Sequence, residues 1–594
     1  MYCQRILCFK GDNIIASGGR METQMEASSA KTMEAMDVIR LMAGMKNLTE
    51  EDMLIELLDY YLKGHPELPF AKQDPSKPVQ MKTPPQKAIE GASISQDIKL
   101  TQEQEEILDF AKTGKNMLVN AYAGSGKTFI LRKIAQTNSR DRFMYLAFNK
   151  GLQVSASESF PKNTWAKTAH SLAWGGMGMS GNPLAERLNQ RMKTIDLAAK
   201  LGIRSDKSIL IARGALLTAN TFENSADYKI ESQHIPKEAK IDLGKYFDGF
   251  ESTIVDLAKR IWEDRLSSKG SLPITHNTYL KLWQMSAPRI NCSTLLFDEA
   301  QDANPVILDI VRRQTCRKIF VGDKYQQIYA WRGAINALSN LENSHKGYLS
   351  QSFRFGNHIA QYASKVLELK GENRLLKGLM DTPSQVEEGL WLEEPYTHIF
   401  RTNSALLLEA AKIAERKKKL YIFGDVNDLL DRVRSTYALY KKKRSDVVHP
   451  TIKIYENWDE LEAAAEFELE LNYLVKFVDE FGKKCPEVIR KIERFTTLHQ
   501  SQAKVLLTTA HKAKGLEWHN IKLSEDFNNY LEIEDDDPMD IEDIIKLKYE
   551  ELNLLYVAVT RSIRNLSLPK GMDELLGELL QMKKDVYENN ELIV

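Results

Sequence analysis

Cysteine is scarce in this chain. Five stand among 594 residues (Cys3, Cys8, Cys292, Cys316 and Cys485), with no C-x-x-C pair. That excludes a zinc ribbon, an iron–sulfur motif and a disulfide framework, and points to a reducing, intracellular compartment. Long apolar runs are missing as well. None approaches the length that spans a bilayer, and the opening "MYCQRILCFKGDNII" has too short an apolar patch for a secretory signal. Net charge is nearly nil: 81 Lys/Arg against 82 Asp/Glu leave −1, so composition alone does not mark a nucleic-acid binder. What is present is an ordinary globular balance, 27% charged and 43% hydrophobic. The length exceeds what one core can fill and suggests about three to four domains.

The charge is unevenly placed. Residues 404–450 hold eleven Lys/Arg against six Asp/Glu, including "ERKKK" and "KKKR", whereas residues 524–551 hold twelve Asp/Glu against two Lys. Each run by itself reads as solvated surface, although one basic face is enough to grip a polyanion. Residues 1–63 read as an aperiodic start followed by a short helical region. There Thr49 and Asp52 resemble a capping box ahead of Leu54, Leu58, Tyr61 and Leu62. Six of the eighteen prolines fall between Pro66 and Pro85, which marks 64–98 as an extended linker.

From Leu100 the texture changes. Short apolar runs, "NMLVN", "RFMYLAF", "STLLFDE", "RKIFVGD", "THIFRT", "LYIFGD", "KVLLTT" and "IKLSED", alternate with helical segments. Runs of this kind that end in Gly, Asp, Asn or Thr predict buried parallel strands with polar chemistry at their C-terminal ends, hence an α/β fold. They fall into two groups that predict two separate sheets. The first lobe is expected over 99–176 plus 289–345, with a helical insertion at 177–288. The second is expected over 346–425 plus 501–570, with a short insertion at 426–500 and a tail at 571–594.

"NAYAGSGKTF" (Asn120 to Phe129) follows a predicted strand and opens an amphipathic helix with Ile130, Leu131 and Ile134. This is the context a phosphate-binding loop requires, although Ala121 stands where such loops usually begin with glycine. The backbone of Ala123, Gly124, Ser125 and Gly126 would cradle phosphates at a helix N-terminus. Lys127 would neutralise β- and γ-oxygens, and the Thr128 hydroxyl would ligate Mg²⁺. A plain Gly/Ser turn could also carry such a string. In "LLFDEAQD" a strand presents Asp298 and Glu299. One would hold Mg²⁺ through water, and the other would polarise the water that attacks the γ-phosphate. "IFVGDKYQQIYAWRGA" places Gln326 where an amide could sense that phosphate. Arg354 in "SQSFRFG" and Arg561 in "LLYVAVTRS" are candidate arginine fingers, groups that contribute roughly 10³ to 10⁵ in rate where tested. Either arginine alone would read as a surface or salt-bridge residue.

These residues, in this order, resemble the UvrD/Rep group of superfamily-one DNA helicases from Leu100 to about Leu568. "LTQEQ", "AYAGSGKT", "DEAQD", "GDKYQQIYAWRGA", "QSFRF", "TAHKAKGLEW" and "YVAVTR" are similar to its motifs. In that group the phosphate loop ordinarily opens with alanine. "THNTYLKLWQ", "IFRTN" and "NLLYVAVTR" resemble the F-box DNA helicases in particular. "LTEEDMLIELLDYYL" lacks the Leu-Pro opening of an F-box, so the resemblance implies the motor region only. It implies two RecA-like P-loop lobes, ATP and Mg²⁺ as cofactors, and 3′-to-5′ movement on DNA. Gln104 would read adenine, Phe353 would stack on it, and Glu517 would contact the ribose. Phe129 departs from the group, many of whose members carry arginine there.

A translocase also needs a sequence-tolerant grip on single strands, supplied by aromatics that stack on bases and by hydroxyls and amines that hold phosphates. The candidates are Phe148, Asn149, Lys150, Thr168, His170, Tyr329, Trp331, His511 and Lys512. Taken singly, an aromatic is usually core and a histidine usually a satisfied structural residue. Three readings follow. The first is an ATP-dependent DNA helicase of 3′-to-5′ polarity acting on single strands and junctions in repair, recombination or replication. The second is a single-strand translocase that removes recombinase filaments. The third, a non-catalytic scaffold, is disfavoured by the complete set of motif residues. About thirty residues follow the last motif, too few for a nuclease domain. A monomer in the cytoplasm of a bacterium or virus, or in a eukaryotic nucleus, is expected.

Overall fold

The computed structural model describes residues 99–188, 190, 192–328, 344–465, 469–532 and 541–591. The helical reading before residue 64, the proline-rich stretch, Tyr329 and Trp331 lie outside the described residues.

All eight apolar runs become strands. The first sheet contains β1 (Met117–Ala121), β2 (Phe143–Ala147), β3 (Thr164–Thr168), β4 (Thr294–Phe297), β5 (Arg317–Gly322) and β6 (His345–Leu349). Its order is β3-β2-β4-β5-β1-β6, and every pairing is parallel. Strands β2 and β4 are buried at every position, because helices cover both faces of a parallel sheet. Strand β6 straddles the boundary expected at 345 and pairs with β1 from Met117↔His345 to Ala121↔Leu349.

The chain then crosses to the second lobe through a short parallel pair, β7 (Gln351–Gly356) and β8 (Lys377–Leu379). The second sheet is built from β9 (Gln385–Glu388), β10 (Tyr396–Phe400), β11 (Leu420–Ile422), β12 (Val505–Thr509), β13 (Trp518–Leu523) and β14 (Ser562–Leu568). Its order is β11-β12-β10-β13-β14-β9, again parallel throughout. The protein is therefore α/β with two RecA-like parallel-sheet lobes. Such sheets carry ligands beyond the C-terminal ends of their strands, which is where the motifs fall.

Both insertions are helical. In the first lobe, helices Ser208–Asn224 and Phe247–Leu266 bury Ile211, Ala215, Phe222, Ile254, Ala258 and Ile261 in a core of their own. A buried Glu223–Arg265 pair at 2.7 Å joins them. The second insertion shares one core with its lobe: Leu430, Leu474 and Ile489 pack with Leu406, Leu407 and Leu507. The lobes also meet in a common core, in which Tyr122 and Tyr325 of the first pack with Phe355, Ile359 and Tyr556 of the second. Among the described residues no helix is long and apolar enough to cross a membrane.

Candidate nucleotide and nucleic-acid site

Ala121 closes β1 in ordinary extended pairing with Leu349 and is fully buried, so nothing at that position requires glycine. The turn rests on Gly124 (φ +71°) and Gly126 (φ +85°), both in the left-handed region that glycine enters without strain. Gly124 has a second reason. A Cβ there would lie 2.4 Å from Ser352 Oγ and 2.7 Å from Arg354 Cβ, because β7 comes down onto the loop. The Phe353 N–H donates to Gly124 O at 2.8 Å. Lys127 begins helix Lys127–Thr137, whose N-cap Gly126 offers no side-chain partner. First-turn N–H groups left open in this way suit an anion.

Strands β4 and β5 bring the acids to this loop. The Lys127 ammonium lies 3.0 Å from Glu299 Oε2, and the Thr128 hydroxyl donates to Asp298 Oδ2 at 3.0 Å. The buried Tyr145 hydroxyl donates to the same Asp298 oxygen at 2.6 Å. Glu299 has φ +52°, a strained backbone for a glutamate. Burial pushes the Asp298 carboxyl up, and the neighbouring Glu299 adds to it. For Glu299 burial acts in the same sense, but Lys127 and Lys514 outweigh it and hold that carboxyl at about 2. Gln301 joins the two strand ends: its amide nitrogen donates to Glu299 at 2.6 Å, and its oxygen accepts the Asp323 N–H at 3.0 Å.

The second lobe completes the cluster. Arg561 is 1% exposed and donates to Gln326 Oε1 at 3.2 Å. Burial first, then Arg354, pulls its guanidinium down to about 9. Gln326 in turn donates to Asp323 Oδ2 at 2.7 Å. The Tyr556 hydroxyl donates to that oxygen at 3.1 Å and accepts the Ala123 N–H at 3.3 Å. Lys514 reaches across to Asp302 and to the Gln326 carbonyl. Tyr145, Gln301, Asp323, Lys514 and Tyr556 received no role from the sequence. Gln301, Asp323, Lys514 and Tyr556 lie inside quoted motifs, and that position was their only signal.

On the opposite side of the loop, Gln104 is buried in a capping box with Thr101, and its Nε2 would stand 3.7 Å from a Cβ at Gly126. Phe353 is 46% exposed. Arg354 donates to Glu517 at 2.6 Å, so these two residues hold each other. Arg132 and Lys133 lie 5.8 Å and 5.7 Å from the Phe129 ring, which keeps positive charge beside that position.

The described strand-binding candidates all follow C-terminal strand ends. Phe148, Asn149 and Lys150 come after β2, Thr168 and His170 at β3, and His511 and Lys512 after β12. Local structure occupies several of them. Asn149 caps helix Lys150–Ser159, Thr168 forms a capping box with Ser171, Lys150 donates to Gln153 at 2.8 Å, and the Lys512 ammonium lies 3.4 Å from Phe423 O. Phe148 is 40% exposed. Burial holds the His170 imidazole below its usual range, and its ring lies 6.2 Å from His276 and 6.1 Å from Tyr279.

The residues present fit a Mg²⁺–nucleotide pair. Among the described residues no cluster of three or more His, Cys, Asp or Glu could hold a metal by itself. Thr128 and Asp298 are the residues that would offer hard oxygens to such an ion, with the rest of its shell left to phosphates and water.

Comparison with known proteins bears on the same residues. A family model described as an AAA domain matches residues 104–332. F-box DNA helicase 1 of Gallus gallus is 33% identical over 515 residues, covering 82% of this chain and 50% of that protein. This chain is similar to F-box DNA helicases over about four fifths of its length. F-box DNA helicase protein 1 of Schizosaccharomyces pombe is 30% identical over 521 residues, 80% of this chain and 58% of its own length. The chain thus spans between a half and three fifths of the length of these relatives.

Proposed function

We propose that the chain is an ATP-dependent DNA helicase or single-strand DNA translocase, moving 3′ to 5′. The observation that carries this reading is the meeting, around one glycine-rich loop, of Lys127, Thr128, Asp298 and Glu299 from the first lobe with Arg561 from the second. When bound, Mg²⁺ supplies Lewis-acid charge to phosphate oxygens, and Thr128 and Asp298 are the residues to hold it. Lys127 exchanges its Glu299 partner for phosphate oxygens. The freed carboxylate then accepts a hydrogen bond from the attacking water. Gln326 and Arg561 form a relay from the phosphate side of the first lobe to the second lobe, and Arg354 reaches the same cleft once Glu517 turns to the ribose. Gln104 and Phe353 hold the base. Lobe closure moves the strand past Phe148, His170, His511 and Lys512, most of them one loop away from an ATP-side residue.

The relatives' names, which describe DNA helicases, support DNA over RNA. The short second insertion, over 426–500, supports the alternative emphasis, removal of recombinase filaments from single strands. Strand displacement on duplexes with 3′ or 5′ tails, beside a filament-removal assay, separates the two. Lys127→Ala is expected to abolish DNA-stimulated ATPase, and Glu299→Gln to lower its turnover about 10²-fold or more while nucleotide still binds. DNA-stimulated hydrolysis unchanged in Lys127→Ala would overturn the mechanism.

A further inference from the structure

The five cysteines are scattered in sequence, yet two of them meet. Cys292 precedes β4 and Cys316 precedes β5, and because these strands are parallel neighbours their leading loops lie side by side. The sulfurs are 3.4 Å apart, with the Cys292 thiol donating to the Cys316 sulfur. Both residues are partly exposed. We infer that Cys292 and Cys316 form a dithiol modification site that hydrogen peroxide converts to a disulfide.

The two thiols are not equivalent. Cys316 accepts the hydrogen bond from Cys292, and the Lys318 ammonium stands nearby, 3.3 Å from the Cys316 carbonyl oxygen. These groups favour the Cys316 thiolate against the cost of burial, whereas the same hydrogen bond and burial keep the Cys292 proton in place. Cys316 is therefore the attacking sulfur. An S–O bond forms to the peroxide, the O–O bond breaks, and water leaves with a proton from solvent, so Cys316 becomes a sulfenic acid. The Cys292 sulfur then attacks Cys316. The S–S bond forms, the S–O bond breaks, and hydroxide leaves as water with the Cys292 proton. Two thiols are oxidised by two electrons in all, and one peroxide is reduced to two waters.

Closure requires the sulfurs to come from 3.4 Å to about 2.0 Å. Both lie in connecting segments outside the strands, where that shift disturbs no ladder hydrogen bond. The pair sits at the N-terminal ends of the two strands whose opposite ends present Asp298, Glu299 and Asp323. It does not depend on the nucleotide reading.

The test is peroxide treatment of the full chain, followed by alkylation and non-reducing peptide mass mapping. The expected result is loss of two thiols and a crosslinked Cys292–Cys316 peptide that dithiothreitol reverses. Cys292→Ser should leave a Cys316 sulfenic acid that dimedone traps, and Cys316→Ser should leave Cys292 open to alkylation after the same dose. Absence of the crosslink in the wild type would overturn the inference. So would equal dimedone labelling of Cys292 in the Cys316→Ser chain.

Discussion

At the residue scale, Tyr556 does more than fill space. Its hydroxyl touches a phosphate-loop N–H and a fully buried carboxylate just past β5, and it comes from the other lobe. Tyr556→Phe keeps the ring's packing and removes only that bridge. Asp323 then keeps Gln326 and the Tyr325 N–H, while the Ala123 N–H loses its partner. A buried polar group left unsatisfied costs about 1–3 kcal/mol, so chemical denaturation should report a loss of that size. DNA-stimulated turnover is expected to fall further than the apparent affinity for ATP. An equal change in kcat and KM would reduce Tyr556 to a packing residue.

At the element scale, β10 carries a residue that binary patterning does not explain. His398 is 5% exposed in the middle of the second sheet, and neither ring nitrogen has a hydrogen-bond partner. Burial first, then the ammonium groups of Lys522 and Lys412, pulls its imidazole down to about 3 from 6.5. The folded state thus refuses a proton that the unfolded chain takes up below about pH 6.5. The stability this represents is present above that pH and is lost as pH falls toward 3. Between pH 7.5 and 5.5 the wild type should lose about 1.4 kcal/mol more unfolding free energy than His398→Leu, measured by urea titration. Parallel slopes for the two proteins would sink the assignment.

At the scale of the whole molecule, the lobes are joined by a small number of buried polar contacts beside the shared aromatic core. Lys514 and Asp302 form the most enclosed of the ion pairs between them, at 9% and 0% side-chain exposure. Burial pushes the Asp302 carboxyl up to about 6, with Lys514 opposing. Lys514→Met leaves that carboxylate uncompensated, at an expected cost of about 3–5 kcal/mol that Asp302→Asn in the same chain largely restores. Calorimetry should show the single variant unfolding in two separated steps and the wild type in steps that overlap. A double-mutant cycle with no coupling would place the pair outside the lobe interface.

The order of motifs alone determined that Lys127, Thr128, Asp298 and Glu299 would share one site. Each follows an apolar run, and buried parallel strands present their C-terminal ends at one edge. The same logic placed Phe148 and His511 on that edge, whereas Thr168 reaches it at the end of β3, a strand that no apolar run announced. Only the tertiary structure decided which groups hold these residues in position. Ala123 and Tyr556 are 433 positions apart, and Lys514 and Asp302 are 212 apart. No local periodicity reports on contacts of that range. The pairing of Cys292 with Cys316 has the same origin: it follows from β4 lying beside β5, and strand order is set by how crossover helices pack on the sheet, not by the composition of either strand.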